Sequence, residues 1–491
     1  MTPKPEIHPE RAHELEEVVV DTRPIALVIL SRSLRTIILI AGAIIFVVLA
    51  HAKPPAGLSV AAERAIAVFA LACLYWITGA LPLMVTSLLV IVLLGLSGVM
   101  PQRQAYALFG NEAMFFILAA FMLAAAVNHR GLGRRVALTV FSRFGRTPRS
   151  LVGSIYLLSA LMSFVIPEHA VAAIVFPIVL DLGNTMHLVP GRSRYATALF
   201  LAMAWGTNIG GIATLLGGAR AMLALGMLSE ATGQTISFLR WSAATIPLVV
   251  ALLIAGWFVL LHFFPTDLDS VEQSAQELKH RAAELGRMTF EEIGVAIILA
   301  VTVVAWMATS HEYGYAAIAI LAVVALFALG LLSWREVEEY VNWGIVLMYG
   351  GAIALGAALQ HTGAAAYLAH ETLGGIGSAV VVLAILALGA ELLGELLSHS
   401  AVVAALLPVG LGLAAHFGID ARAMSLVIAI PAGLTFILPV GTPANALAYS
   451  SGYLRARELL VPGALMILSA WIGLNLMAHF YWPLIGFRVG R

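Results

Sequence analysis

Four polar interruptions in long apolar stretches hold most of the residues in this chain that could do chemistry. They are Pro167-Glu168-His169, Gly217-Gly218-Ala219-Arg220, Ser398-His399-Ser400 and Gly441-Thr442-Pro443-Ala444-Asn445. A guanidinium stays protonated at any accessible pH, so Arg220 is a permanent positive charge, and Glu168 is read as its counter-ion or as a proton site. The imidazoles of His169 and His399 can hydrogen-bond an oxyanion when neutral and pair with one when protonated. Ionisable groups at membrane depth are functional candidates by default. Bland alternatives stand beside each: a buried Arg220–Glu168 pair with no further role, and histidines that only fix exposed carbonyls. Glu391 and Glu395 lie four apart on one helical face, suited to bracing backbone groups or to proton transfer. Asp181 and Glu112 are read as helix-terminal groups. No nucleophile elbow, phosphate-binding glycine loop or zinc spacing accompanies these residues, so neither an enzyme, a resident metal nor a cofactor is expected.

These residues must be positioned by a membrane scaffold. Of 491 residues, 61% are apolar and only 11% charged, with a mean hydropathy of +0.96. Soluble chains carry about 25% charged residues, so a water-soluble enzyme is excluded. Lys+Arg and Asp+Glu are equal at 27 each, which gives no basic excess for a nucleic-acid partner, and the lone Cys73 excludes an intrachain disulfide or a CxxC redox pair. Windows of about 20 apolar residues give an all-α polytopic protein in a lipid bilayer, with about 11 transmembrane helices. The regions 150–184 and 376–416 do not read as simple spans and are expected to be re-entrant hairpins. With the N-terminus cytoplasmic and both hairpins returning to their own side, 19 of the 27 Lys and Arg fall in inner loops and seven in outer ones, leaving Arg220. Full crossing by either hairpin would weaken that bias. The organisation expected is a cytoplasmic arm at 1–34, a first span within 35–59, a first repeat at 60–264, a cytoplasmic linker at 265–288 and a second repeat at 289–491.

The duplication is visible directly. A shift of 231 residues places Asn111-Glu-Ala-Met on Asn342-Trp-Gly-Ile, and PEHAVAAIVFP (167–177) on SHSAVVAALLP (398–408). Each copy holds an odd number of spans, so the copies are expected to be inverted, an architecture of secondary transporters in which broken helices meet at the midplane.

The segments WITGALPLMVTSLL (76–89), FGNEAMFFILAAFMLAAAVNHRGLGRRVAL (109–138), VNWGIVLMYGGAIALGAAL (341–359) and ILPVGTPANALAYSSG (437–452) resemble the divalent anion/sodium symporter family, carriers of dicarboxylates, citrate and sulfate. The resemblance runs from about residue 60 to the C-terminus. It implies a homodimer in the plasma or inner membrane, in which a transport part built of hairpins and broken helices moves as an elevator. It also implies a small-anion substrate held by Pro167, Glu168, His169, Arg220, Ser398, His399, Ser400, Thr442, Pro443 and Asn445. Where the family has Ser-Asn-Thr at both hairpin tips, this chain has Pro167-Glu168-His169 and Ser398-His399-Ser400, and the first helix break carries Arg220. Of the first sodium site only Ser163, Gly210 and Gly211 remain. The expectation is therefore that Arg220 stands in for a sodium ion, with coupling to protons or anion exchange. Glu168, His399, Gly441 and Glu395 are further ion-coupling candidates. Two alternatives stay open: a sodium-coupled symporter keeping one sodium site near Ser398, Gly441 and Asn445, and a non-transporting membrane enzyme or sensor on the same scaffold.

Overall fold

The structure, a computed structural model, describes residues 25–489 except 266, 267 and 269. The arm expected at 1–34 lies outside the described residues as far as residue 24. From Ile25 the chain is helical, and the part of α1 (Ile25–His51) long and apolar enough to cross a membrane is Ser33–His51, which overlaps the first span expected within 35–59. Ten helices follow: α2 (Val60–Thr78), α3 (Leu83–Leu96), α4 (Gln102–Ala107), α5 (Glu112–His129), α6 (Leu132–Phe144), α7 (Pro148–Met162), α8 (Glu168–Thr185), α9 (Arg194–Gly210), α10 (Ala219–Thr232) and α11 (Phe238–Phe263). The linker contains α12 (Glu272–Glu284). Ten more helices then repeat the order: α13 (Phe290–Tyr313), α14 (Tyr315–Ala328), α15 (Trp334–Tyr340), α16 (Trp343–His361), α17 (Ala364–Thr372), α18 (Ala379–Leu396), α19 (His399–Phe417), α20 (Ala421–Ala429), α21 (Pro443–Ser450) and α22 (Ala456–Leu476). No strand occurs among the described residues.

The repeat extends to the devices that start each helix. Asn111 and Asn342 cap α5 and α16, each side chain accepting from a backbone N–H of the first turn. Gly131 and Gly363, with φ of 74° and 79°, then turn the chain into α6 and α17. Glu168 opens α8 and His399 opens α19, and Pro177 and Pro408 lie inside these two helices. Each hairpin is two helices joined by a short connection, residues 163–167 and 397–398, and in contact with one another, α7 with α8 and α18 with α19.

Nine helices among the described residues are long and apolar enough to cross a membrane, and α3, α14 and the region of α20 are shorter apolar helices. Their outward faces carry exposed Ile37, Ile44, Val48, Val301, Val304 and Leu321, an apolar girdle that suits lipid rather than water. The chain is thus an all-α, multi-pass membrane protein. The broken helices sit inside this girdle. Residues Ala196 to Gly210 of α9 are all buried, and α9 crosses α7 so closely that a Cβ on Gly210 would fall on the Ala160 backbone. Small residues at such crossings allow the backbone contact that substitutes for hydrophobic driving force in lipid. At one end, Arg130 joins α5 to Glu336 of α15 at 2.9 Å and Glu291 of α13 at 3.2 Å, while Arg135 of α6 joins Glu292 at 2.7 Å. These pairs fasten the two repeats together well away from the breaks.

Candidate functional site

The tip of the first hairpin is held from behind by the break that follows α9. The Glu168 backbone N–H donates to Gly217 O at 2.8 Å, and the Thr214 hydroxyl donates to Phe164 O at 2.7 Å. Pro167 occupies the cap position of α8, and Gly211 faces the Glu168 carboxylate, which leaves that carboxylate room to turn toward Arg220. Nη1 of Arg220 donates to both oxygens of Glu168, at 3.0 and 2.9 Å, and lies 3.1 Å from Nδ1 of His399. Three elements from both repeats therefore meet at one nitrogen. All three side chains are buried, Arg220 at 2% exposure and Glu168 and His399 at 7% each.

Nδ1 of His399 lies 3.1 Å from Nη1 of Arg220 and 3.3 Å from Oε1 of Glu168, so it accepts from the guanidinium in one tautomer and donates to the carboxylate in the other. Nε2 of His399 is buried and has no partner. Nη2 of Arg220 is likewise buried and unpartnered. Behind the guanidinium stands Gly433, in the turn after α20. A Cβ there would overlap Cζ and Nε of Arg220, so this glycine makes the space that the arginine fills.

A cavity of about 570 Å³ lies in front of this triad, lined by Glu168, His169, Arg220, Ser398, His399, Ser400, Gly441, Thr442 and Pro443, all expected from the sequence. The first residues of four helices line it: Glu168 of α8, Ala219 of α10, His399 of α19 and Pro443 of α21. Each helix N-terminus presents unsatisfied N–H groups and a partial charge of about +0.5, and four converging make the cavity attractive to an anion. The two formal charges on its wall, Glu168 and Arg220, neutralise each other. A larger cleft of about 1200 Å³ lies at the far ends of α10, α16 and α19. There Arg422 is already paired with Asp420 at 2.6 Å, and none of the four helix breaks lines it, so the chemistry points to the smaller cavity.

Several expected residues lie away from the cavity wall, and the side chains of others that line it, His169, Ser398 and Thr442, make contacts of their own. Asn445 lies behind the cavity wall, where Oδ1 accepts from Nδ2 of Asn208 at 3.1 Å and Nδ2 donates to Leu438 O at 3.0 Å. Ser163 donates to Ser159 O at 2.9 Å within α7. Gly210 serves the α7–α9 crossing. Glu395 accepts from three consecutive backbone N–H groups, those of Phe436, Ile437 and Leu438, and so braces the break before α21. His169 stands edge-on to Phe121 with ring centres 5.2 Å apart. The hydroxyls of Ser398 and Thr442 cap α19 and α21 by accepting from Ala401 and Asn445 N–H groups. Asp181 pairs with Arg281 of α12, and Glu112 accepts from the first N–H groups of α14. The sequence reading missed Asn342, Leu83, Ile345 and Met348 as cavity residues. It also missed Asn208, whose Nδ2 donates to Thr435 O at 2.9 Å, and Tyr349, whose hydroxyl donates to Ala219 O at the first break. A buried amide within an otherwise apolar helix was the available signal for Asn208.

The arrangement of broken helices around one cavity is that of a membrane transporter. Two solved transporters share the fold: YdaH of Alcanivorax borkumensis (TM-score 0.53, 17% identity, 79% of this chain and 89% of that one) and MtrF of Neisseria gonorrhoeae (TM-score 0.50, 14% identity, 74% and 80%). The chain belongs to the sodium:sulfate symporter family, whose transmembrane-region profile matches residues 32–487. That is a family of transporters and not of enzymes. Among its relatives, a sodium-dependent dicarboxylate transporter, SdcS, of Staphylococcus saprophyticus is 26% identical over 475 residues, covering 91% of each chain. Its counterpart in Staphylococcus aureus strain RF122 is 26% identical over 439 residues, covering 84% of each.

Proposed function

We propose that this chain is a secondary transporter of a small oxyanion, a dicarboxylate, sulfate or similar species, in which Arg220 supplies the fixed positive charge that a sodium ion would otherwise bring. The observation that carries this reading is Arg220 itself, joined to both hairpin tips where four helix N-termini converge. A sodium ion needs oxygen ligands, whereas Arg220 offers donors alone. The position of its guanidinium, between Glu168, His399 and Gly433, lets one covalently attached cation tie the parts of the site together. Coupling then runs through protons or through exchange of one anion for another. The relatives named as sodium-dependent dicarboxylate transporters support the substrate class, and the family supports transport as the activity. The repeats act as inverted halves, the hairpins and broken helices move together as an elevator against a scaffold that includes α5 and α16, and the protein works as a homodimer in the plasma or inner membrane with its N-terminus cytoplasmic.

Counterflow in proteoliposomes tests this. Vesicles preloaded with unlabelled sulfate or succinate should take up the labelled anion chemically unchanged and without added sodium. Uptake no greater than in protein-free vesicles, across sulfate, C4-dicarboxylates and citrate, would contradict the reading.

A further inference from the structure

Glu391 is the most deeply buried carboxyl among the described residues, and the site described above does not use it. It has 0% exposure on the inward face of α18, and neither of its oxygens has a hydrogen-bond partner. Glu395, one turn further along the same face, spends its oxygens on the backbone of 436–438. Gly394 packs against the backbone of Ala432 in the turn after α20. Apart from Glu395, the inward face of α18 is otherwise apolar or glycine, including Leu383, Ala387 and Ala390. Charged and titratable groups on the elements packed against α18 are His399 and His416 on α19, Asp420 and Arg422 at the start of α20, and Arg457 and Glu458 on α22, with none in the turn at 431–433. None of these is hydrogen-bonded or ion-paired to Glu391. An ionised carboxylate with no donor and no cation is among the costliest groups to bury, and a neutral acid far less so. The packing is therefore that of a carboxylic acid holding its proton.

We propose that Glu391 is the proton-carrying group of the transport cycle. It takes a proton from water when its helix faces one side, is buried as the neutral acid in the state described here, and releases that proton to the other side when the hairpin moves. One O–H bond forms and the same bond breaks, so the net event is one proton moved with each anion in the same direction. This rests on the anion-transport reading above and adds to it the driving ion and the residue that binds it. Glu391 lies outside the wall of the anion cavity, so its role separates from anion binding.

The test uses the full-length protein in proteoliposomes without sodium, with Glu391→Gln as a neutral variant of nearly the same shape. Counterflow at equal pH on both sides reads the anion site and its movement. Accumulation under an acid-outside pH gradient reads coupling. The wild type should do both, and Glu391→Gln should keep counterflow within about twofold while losing at least tenfold in accumulation. Accumulation by Glu391→Gln at the wild-type level, or wild-type accumulation that ignores the pH gradient, overturns the proposal. Absence of wild-type counterflow for every anion removes the transport reading instead. Should the variant fail to reconstitute, the wild type decides alone: a pH-sensitive dye outside the vesicles should record about one proton entering per labelled anion, and an unchanged dye signal during anion uptake overturns the proposal.

Discussion

Arg220→Ala is expected to abolish anion binding. The guanidinium is the formal positive charge on the cavity wall, and its Nη1 is the atom at which Glu168 and His399 meet. Removing it alone also leaves the Glu168 carboxylate buried without its partner, and breaking a buried pair in this way costs about 3–5 kcal/mol of stability. Poor yield of the single variant would therefore say little. The informative protein is Arg220→Ala combined with Glu168→Gln, which removes the orphaned charge and should restore folding but not binding. Arg220→Lys should recover binding only in part, since an ammonium keeps the charge but lacks the planar fork that spans two acceptors. Isothermal titration with sulfate and with succinate on monodisperse protein reads all three. A double variant that folds and binds like the wild type would reduce Arg220 to a packing element.

Glu168→Gln alone is expected to do the opposite and tighten anion binding. The amide oxygen can still accept from Arg220, so the pair keeps a hydrogen bond and the fold keeps its tip. The cavity wall meanwhile changes from balanced to one net positive charge. Two unit charges about 4 Å apart interact by about 4 kcal/mol at an effective dielectric constant near 20. Screening by water in the cavity removes much of this, and a tenfold gain in affinity, about 1.4 kcal/mol, is the expected floor. The same variant should show a larger rise in melting temperature on adding anion, because stabilisation by a ligand grows with its concentration relative to Kd. Unchanged or weaker binding would mean that Glu168 organises the site rather than neutralising it.

Much of this site was legible because a membrane chain cannot hide its exceptions. Glu168, Arg220 and His399 stand out against apolar neighbours, and glycine or proline beside them marks a helix break that lipid would not tolerate unless protein surrounds it. The duplication was legible over Asn111 to Pro177 and again at 215–221, which falls on the break from Pro439 onward. The structure carries it through ten helices on each side, since helix starts persist after the side chains that marked them have diverged. The polar helix α12 escaped a search for apolar runs because its amphipathic pattern makes no such run. Asn445 was expected at the substrate because it sits in a break. It faces Asn208 instead, and which way a side chain turns within a break depends on what packs behind it. The convergence of α8, α10, α19 and α21 on one cavity was legible through the duplication and the family resemblance, and not through hydropathy, which reports that a helix exists and not where its N-terminus points.

The central claim is that Arg220 has taken the place of a sodium ion, and the affinity of the purified wild-type protein for its anion tests this most directly when titrated in sodium chloride and in choline chloride at equal ionic strength and pH. A cation built into the chain is present in both salts, so the two dissociation constants should agree within about twofold, and sodium added to the choline sample should produce no further shift. Binding that disappears in choline and returns steeply with added sodium would show that the anion still recruits its cation from solution, and would contradict the role assigned to Arg220.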